Sequence, residues 1–286
     1  MDFSIIIVSW NVKDILRANL QSILQTNQQV SVEIIVVDNA SKDESVKMIQ
    51  SEFPSVQVIT NQVNIGFAKA SNQGLKKAIG DYLILLNPDM KIFPETLGNL
   101  KQWLDKNPHA DVTGIKLIDE QEKILPHVRR FPTFSDQVAI ILKLPHLFPR
   151  LLDSYLLRDF NYAVATQVDS IRGAFFVIRK SSLEKFGLLD ERYFLWFEEV
   201  DYCRAVKQQG GQVWYTPEAL AIDYVGKSFL QLPRSSKQVY FRTSMLAYFK
   251  KWQSPWQAQL LSLAWFFSDM IVWLGDMVEL KSRTKT

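Results

Sequence analysis

Two apolar runs in this chain end on acidic turns whose residue types could bind a charged ligand. Residues 82–86, Tyr-Leu-Ile-Leu-Leu, form a continuous apolar run of the kind that fits a strand buried on both faces. Asn87-Pro88-Asp89 follows at once, so Asn87 and Asp89 stand at the strand's carboxyl end, where open α/β sheets place their ligands. A carboxylate beside an amide, with no Cys or His nearby, offers hard oxygen ligands suited to Mg²⁺ or Mn²⁺ holding substrate phosphates. The same three residues also make an ordinary turn. Val37-Asp38-Asn39-Ala40-Ser41 repeats the arrangement after an earlier run. Asp38 can accept from a nucleobase N–H or a ribose hydroxyl, while Ser41 reads as a helix cap with Glu44 closing a capping box. Asn64-Ile65-Gly66-Phe67-Ala68 leads into a helix carrying Asn72 and Gly74, and a glycine turn before a helix start lets backbone N–H groups approach a pyrophosphate or sugar. A plain turn is the other reading of that glycine.

A third acidic group lies further on, in residues 194–204. Four bulky apolar residues there precede Glu198, Glu199 and Asp201. Partial burial would raise a carboxylate's pKa and make it a usable base near neutral pH. A helix starting here would also favour negative charge in its first turn, with Asp201 and Arg204 as an i,i+3 pair. Asp223 follows a short strand and could be a further metal ligand. Arg129, Arg130 and Lys227 could hold phosphate oxygens or form solvated surface. The three histidines, His109, His127 and His146, make no ligand-spaced pair, which argues against zinc.

The elements that must position these residues alternate in type. Strand-like runs at 4–8, 33–37, 56–60 and 82–86 alternate with helix-like segments at 12–25, 44–53, 69–78 and 95–106, the signature of βαβ units in a mostly parallel sheet. Residues 111–166 lose this regularity, with prolines at 126, 132, 145 and 149, and read as a variable insertion. A strand at 171–179, a helix at 181–186 and two short strands around Thr216-Pro217 follow. From residue 236 the pattern is helical. No glycine-rich dinucleotide fingerprint or Walker loop follows the first strand.

Composition narrows the class. The 286 residues are 47% hydrophobic and 22% charged, ordinary for a folded chain. A formal net charge of +3 gives no nucleic-acid signal, and the single cysteine, Cys203, excludes an intrachain disulfide. The start of the chain reads as a first strand and not as a signal peptide, which favours a cytoplasmic location. Residues 256–280 read as an apolar helix with a narrow polar stripe of Ser262, Asp269 and Asp276, flanked by basic residues. Such a helix would lie in a membrane surface or against a partner, or else cover the domain's own apolar face; a true span would bury Asp269.

Together these segments resemble glycosyltransferase family 2, in particular its rhamnosyltransferase-like members with the GT-A fold. The matching residues are 7–11, 37–41, 64–68 with Asn72 and Gly74, and 86–89. They continue with 173–175, 190–191, 198–201 with Arg204, then Pro217, Ala219, Gly226 and Ser228, and end in 248–251. The resemblance spans about residues 3–251. It implies a Rossmann-like, mostly parallel sheet flanked by helices. A catalytic domain would occupy 1–235, with a nucleotide-sugar half at about 1–110 and an acceptor half at about 111–235, followed by a helical tail at 236–286. It also implies an inverting, metal-dependent transfer of a sugar, rhamnose by resemblance, from a nucleoside diphosphate to a glycan or lipid-linked hydroxyl in envelope polysaccharide synthesis. Carried over by position, Ser9, Asn11, Asp38, Asn39, Asn64, Gly66, Asn72, Asn87 and Asp89 would serve the donor. Gly173, Ala174, Trp196 and Glu198 would serve the acceptor, and Asp89 and Asp223 the Mg²⁺ or Mn²⁺. Glu199 falls where relatives usually have an Asp base, and Asp223 where they often have His. A non-catalytic sugar-nucleotide or glycan-binding protein on the same fold is the competing reading. A nucleotidyltransferase is disfavoured by the missing glycine-rich basic loop.

Overall fold

A computed structural model describes residues 1–26, 30–229 and 232–267. Its strands are β1 (Phe3–Ser9), β2 (Val32–Asp38), β3 (Gln57–Thr60), β4 (Tyr82–Leu86), β5 (Met90–Ile92), β6 (Val112–Ile118), β7 (Val128–Arg129), β8 (Thr166–Gln167), β9 (Ser170–Ile171), β10 (Phe175–Arg179) and β11 (Val213–Asp223). Its α-helices are α1 (Lys13–Leu24), α2 (Ser45–Glu52), α3 (Phe67–Lys77), α4 (Thr96–Lys106), α5 (Phe134–Ile141), α6 (Asp153–Leu156), α7 (Lys180–Phe186), α8 (Glu198–Gln208) and α9 (Arg234–Trp252).

The main sheet runs β3-β2-β1-β4-β10-β6-β11-β5, with β8 added beside β11. Strands β3, β2, β1 and β4 are mutually parallel, and β11 runs parallel to β6, whereas β10 lies antiparallel between β4 and β6. Period-two alternation sorts side chains between two layers. Phe3, Ile5 and Ile7 of β1 pack with α1, α2 and α4, while Ile6 faces α3, α8 and α9. Each fully buried Leu or Ile in these layers contributes about 1.5–3 kcal/mol against exposure. Gly74 allows α3 to lie directly on β1, because a Cβ there would collide with Ile6.

Several local expectations change. Residues 112–118, assigned to an irregular insertion, form β6 at the heart of the sheet, since Val-Thr-Gly-Ile-Lys-Leu-Ile is buried at six positions of seven and finds partners on both sides. The strand expected over 171–179 is broken by Arg172-Gly173-Ala174 into β9 and β10, which belong to different sheets. Residues 213–223 are one strand with an irregularity between Thr216 and Leu220, so Pro217 falls where the ladder is already interrupted. Short β5 has no strong pattern of its own and is held by antiparallel pairing with β11.

The tail docks on the domain. Helix α9 buries Met245, Tyr248 and Phe249 in the same core as α8. A second helix occupies residues 255–267 after a break at Gln253-Ser254. It buries Ala258, Leu261 and Trp265 and exposes Trp256, Leu260, Leu263 and Phe267. Of the polar stripe, Ser262 is described, whereas Asp269 and Asp276 lie outside the described residues.

Candidate active site

At the carboxyl end of the sheet, β4 delivers Asn87-Pro88-Asp89. Asp89 is 1% exposed; its Oδ2 accepts the Ser228 N–H at 2.9 Å, and its carbonyl accepts the Tyr224 N–H at 3.1 Å. Its other carboxylate oxygen is buried without a partner. The Asn87 N–H donates to the Ala174 carbonyl at 2.9 Å, tying this turn to the break before β10. Asp223 ends β11 directly opposite Met90, which brings the second acidic residue beside the first. Its carboxylate is ion-paired with Arg172.

The neighbouring strand ends are built from reciprocal polar contacts. Asp38 lies opposite Ser9 in the β1–β2 register; its Oδ2 accepts the Ser41 N–H at 2.9 Å, while its Oδ1 and the Ser9 hydroxyl are buried without partners. Ser41 does not cap α2. Its hydroxyl accepts the Asn11 N–H at 2.9 Å, and α2 instead begins after Glu44, a left-handed residue at φ 65°, with Asp43 accepting the Ser45 N–H at 3.1 Å. The expected capping box is therefore replaced by a clasp between the loops after β1 and β2, which the Asn11 side chain completes by accepting the Lys42 N–H at 2.6 Å. Asn39 reaches across to the Gly66 carbonyl at 3.2 Å.

Gly66 has φ +86°, and a Cβ on it would lie 2.7 Å from the Phe194 carbonyl oxygen. That carbonyl accepts the Phe67 N–H at 2.7 Å, so only glycine lets the 64–67 turn close on the 194–199 segment. Asn39, Asn64, Gly66 and Asn87 line a small cavity of about 80 Å³, walled by Trp10, Phe67 and Phe194. Ser9, Asn11 and Asp38 stand at the strand ends beside it and do not line it. Asn72 is spent on structure: buried in α3, it bonds both the N–H and the carbonyl of Leu189, at 3.0 and 2.9 Å.

Glu198 and Glu199 arrive through strained backbone. Trp196 and Phe197 are consecutive left-handed residues, at φ 65° and 70°, a conformation costing about 1–3 kcal/mol per residue and retained where the surroundings enforce it. They turn the chain so that α8 starts on Glu198, with both glutamates at the helix's positive end. Desolvation pushes the Glu198 carboxyl well above the ordinary range, and the charge of Glu199 adds to the shift. Desolvation also raises Glu199, against the opposing pull of Arg129 and Arg172. One oxygen of each carboxylate has no partner.

A cavity of about 230 Å³ brings together Asn87, Asp89, Gly173, Ala174, Trp196, Glu198, Glu199 and Asp223. It also takes in Arg172, Phe67 and Leu195, which sequence reasoning missed; the signal for Arg172 was its place directly before Gly173-Ala174. Five buried oxygens without partners at one end of a sheet, on Ser9, Asp38, Asp89, Glu198 and Glu199, are a cost that a bound polar ligand would offset.

The expected Asp201–Arg204 pair does not form. Asp201 instead accepts from Tyr193 at 3.0 Å, Trp252 at 2.5 Å and Lys251 at 2.7 Å, while Arg204 donates to the Tyr248 hydroxyl at 2.9 Å and the Trp252 carbonyl at 3.3 Å. Both residues face α9, because partners on a packed neighbour exclude water better than a pair along one helix face. They fasten α8, and the glutamates at its start, to the C-terminal helix.

Among the described residues no three His, Cys, Asp or Glu side chains gather into a metal cluster. Asp89 has the unpartnered hard oxygen that a divalent cation needs, and Asp223 is its neighbour across the β5–β11 register. That set fits Mg²⁺ or Mn²⁺ bound jointly with substrate phosphates.

A mostly parallel sheet with an antiparallel insertion, acidic strand ends and a carboxylate pair facing them defines a GT-A glycosyltransferase fold. Two solved structures share it: Staphylococcus aureus TarS 1-349 in complex with UDP-GlcNAc, with a TM-score of 0.57 at 16% identity over 94% of this chain and 72% of that one, and GalNAc-T7 with UDP, GalNAc and Mn²⁺, with a TM-score of 0.62 at 19% identity over 86% and 48%. The chain belongs to glycosyl transferase family 2, which it matches over residues 4–187. Among curated relatives it is 22% identical to the N-acetylglucosaminyl-diphospho-decaprenol L-rhamnosyltransferase of Mycobacterium tuberculosis, across 83% of this chain and 80% of that protein. It is 26% identical to rhamnosyltransferase WbbL of Escherichia coli, across 77% and 82%. The protein is accordingly a glycosyltransferase, and the binding-only alternative is set aside.

Proposed function

We propose that the protein transfers a sugar, rhamnose in the favoured reading, from a nucleoside diphosphate to a hydroxyl of a glycan or lipid-linked acceptor in cell-envelope polysaccharide synthesis, with inversion at the anomeric carbon. One observation carries the reading: Glu199 stands in the wall shared by the cavity that holds Asp89 and a second cavity beneath residues 129–156. A base between two cavities is what a single displacement between two substrates needs. The acceptor oxygen would attack the anomeric carbon as its proton passes to a Glu199 carboxylate oxygen, and the bond to the phosphate oxygen would break with its electron pair leaving on the nucleoside diphosphate. Burial raises the Glu199 pKa, the direction that makes a carboxylate a better general base. A divalent cation held by Asp89 and Asp223 would stabilise the charge on the leaving diphosphate. Glu198, more deeply buried, would orient the acceptor side.

Both named relatives are rhamnosyltransferases, which supports rhamnose as donor sugar, and the mycobacterial name specifies a diphospho-decaprenol substrate, which supports a lipid-linked acceptor. Among the described residues no helix is long and apolar enough to cross a membrane. The exposed apolar side of the 255–267 helix favours peripheral contact with the inner face of the cell membrane.

Nucleoside-diphosphate release from a panel of activated sugars, with Mg²⁺ or Mn²⁺, tests the proposal. Release from one donor, lost on chelation and in Asp89→Ala and Glu199→Gln, is the expected result. Release that persists in both variants would overturn it.

A further inference from the structure

Asp89 and Asp223 are built alike and compensated differently. Each carboxylate gives one oxygen to a backbone N–H: Asp89 Oδ2 accepts from Ser228 and Asp223 Oδ1 from Val225, both at 2.9 Å. Each therefore keeps one oxygen for a charge. On Asp89 that oxygen is buried without a partner, whereas on Asp223 it is covered by the Arg172 guanidinium. A divalent cation held by both residues would need the oxygen that Arg172 covers.

Arg172 is placed to leave. Its backbone is fixed, because its N–H donates to the His127 carbonyl at 3.1 Å and the Ala174 carbonyl, two residues on, accepts the Asn87 N–H at 2.9 Å. Its side chain is 32% exposed, against 3% for Asp223, so the carboxylate stays in place while the guanidinium has room to turn. Arg172 lines the cavity of Asp89, Asp223 and Glu199 and also the cavity beneath residues 129–156, so open space adjoins it on both sides. Arg179 shows what an arginine kept for structure looks like: its guanidinium donates to the carbonyls of Ala110, Leu104 and Asn107, at 3.3, 3.0 and 3.0 Å. Arg172 faces a carboxylate in a ligand-sized cavity instead.

A guanidinium that gives up one carboxylate needs another anion, and its planar fork matches a phosphate as well as it matches a carboxylate. We propose that Arg172 gates the cation site: it covers Asp223 until a donor enters, then turns onto the donor's diphosphate and leaves Asp223 to the cation. The proposal rests on the reading that Asp89 and Asp223 hold a divalent cation, and deepens it by coupling that cation to the donor. Each ligand removes an obstacle to the other, so the two bind as a pair. On the leaving diphosphate, the Arg172 guanidinium also adds positive charge where negative charge grows.

Two titrations of the full chain provide the test. Mn²⁺ alone is followed by its paramagnetic resonance signal, and uridine and deoxythymidine diphosphates, with the matching monophosphates, are followed by calorimetry in the presence of chelator. Arg172→Gln is expected to bind Mn²⁺ about tenfold more tightly than wild type and the metal-free diphosphate about tenfold more weakly, with the monophosphate changed by less than about twofold. Arg172→Lys should recover part of the diphosphate affinity. A variant with a damaged fold would lose affinity for every ligand, so the opposite signs separate a gate from a structural arginine. Mn²⁺ affinity in Arg172→Gln equal to or weaker than that of wild type would overturn the proposal. So would diphosphate affinity that the variant leaves unchanged. Failure of the cation reading would show separately, as Asp89→Ala protein that binds Mn²⁺ as tightly as wild type.

Discussion

The two sides of the active site are built from different materials. On the side proposed for the donor, the turns after β1, β2 and β3 clasp one another through backbone and amide hydrogen bonds, and the side chains involved are Asn and Ser. The side proposed for the acceptor is made of aromatic and aliphatic packing between α5, α6, α8 and α9, into which Arg129, Arg172 and Glu199 project. A nucleotide presents many fixed donors and acceptors, which rigid polar turns can match one by one. The cavity beneath residues 129–156 instead combines an apolar wall with a few charges, whose strength depends on exclusion of water. The difference implies that donor-side damage should act through local geometry, while acceptor-side damage should act through charge and packing.

The largest effect expected from that contrast is at the junction. Glu199→Gln keeps the side chain's shape and removes the proposed base, so kcat should fall by about 10²–10⁴-fold with little change in donor affinity, measured by single-turnover transfer and nucleotide titration. A comparable loss of donor affinity would place Glu199 on the donor side and break the comparison. Next comes Asp201→Ala, which removes the acceptor of two hydrogen bonds from α9 and one from Tyr193 and leaves the Lys251 ammonium with Asp190 alone. Unfolding by denaturant should show a loss of about 3 kcal/mol.

Gly66→Ala probes the donor side by geometry alone. Its positive φ and the Phe194 carbonyl 2.7 Å from the added Cβ should cost about 1–3 kcal/mol of stability and weaken nucleotide binding. If nucleotide affinity were unchanged, the clasp between the 64–67 turn and Phe194 would be irrelevant to the donor. The smallest effect is one of pH. The folded-state pKa of Glu198 is raised by burial, so its contribution to stability is fully present below the unfolded value near 4.5 and is lost as pH rises through the folded value. Glu198→Gln should therefore raise the melting temperature at neutral pH and leave it unchanged near pH 4. His127 acts in the opposite sense: burial lowers it to about 4, so its contribution is present at neutral pH and lost as pH falls from about 6.5 toward 4. A melting temperature that stays constant across that window in wild type, but not in His127→Phe, would contradict this sign.

The legibility of the chain follows the same division. Apolar periodicity was enough to read β1 to β4 with their helices, and the acidic ends of β2 and β4 were visible because a buried parallel strand is a continuous apolar run that must stop where its ligand-facing turn begins. The position of α8 and the raised pKa values of its glutamates followed from apolar bulk placed before a cluster of carboxylates. Neither β6, β5 nor the division of 170–179 between two sheets could be read in the same way, because a strand's identity there depends on partners distant in sequence. Ser41 shows the limit at a single residue. As sequence it is one of several side chains able to cap α2, and only the approach of the loop after β1 makes Asn11 its partner.

What the sequence by itself determined is the class of fold, the order of its donor-side turns and the residues able to do chemistry, since these rest on local periodicity and side-chain type. Tertiary structure alone decided that Asp201 and Arg204 serve α9 instead of each other, that Arg172 meets Asp223, and that Arg129 and Glu199 look into one cavity. Those are contacts between segments 44 or more residues apart, closed only when the two layers pack on the sheet. No local pattern carries them, because the burial that gives each its strength does not exist until the chain has folded.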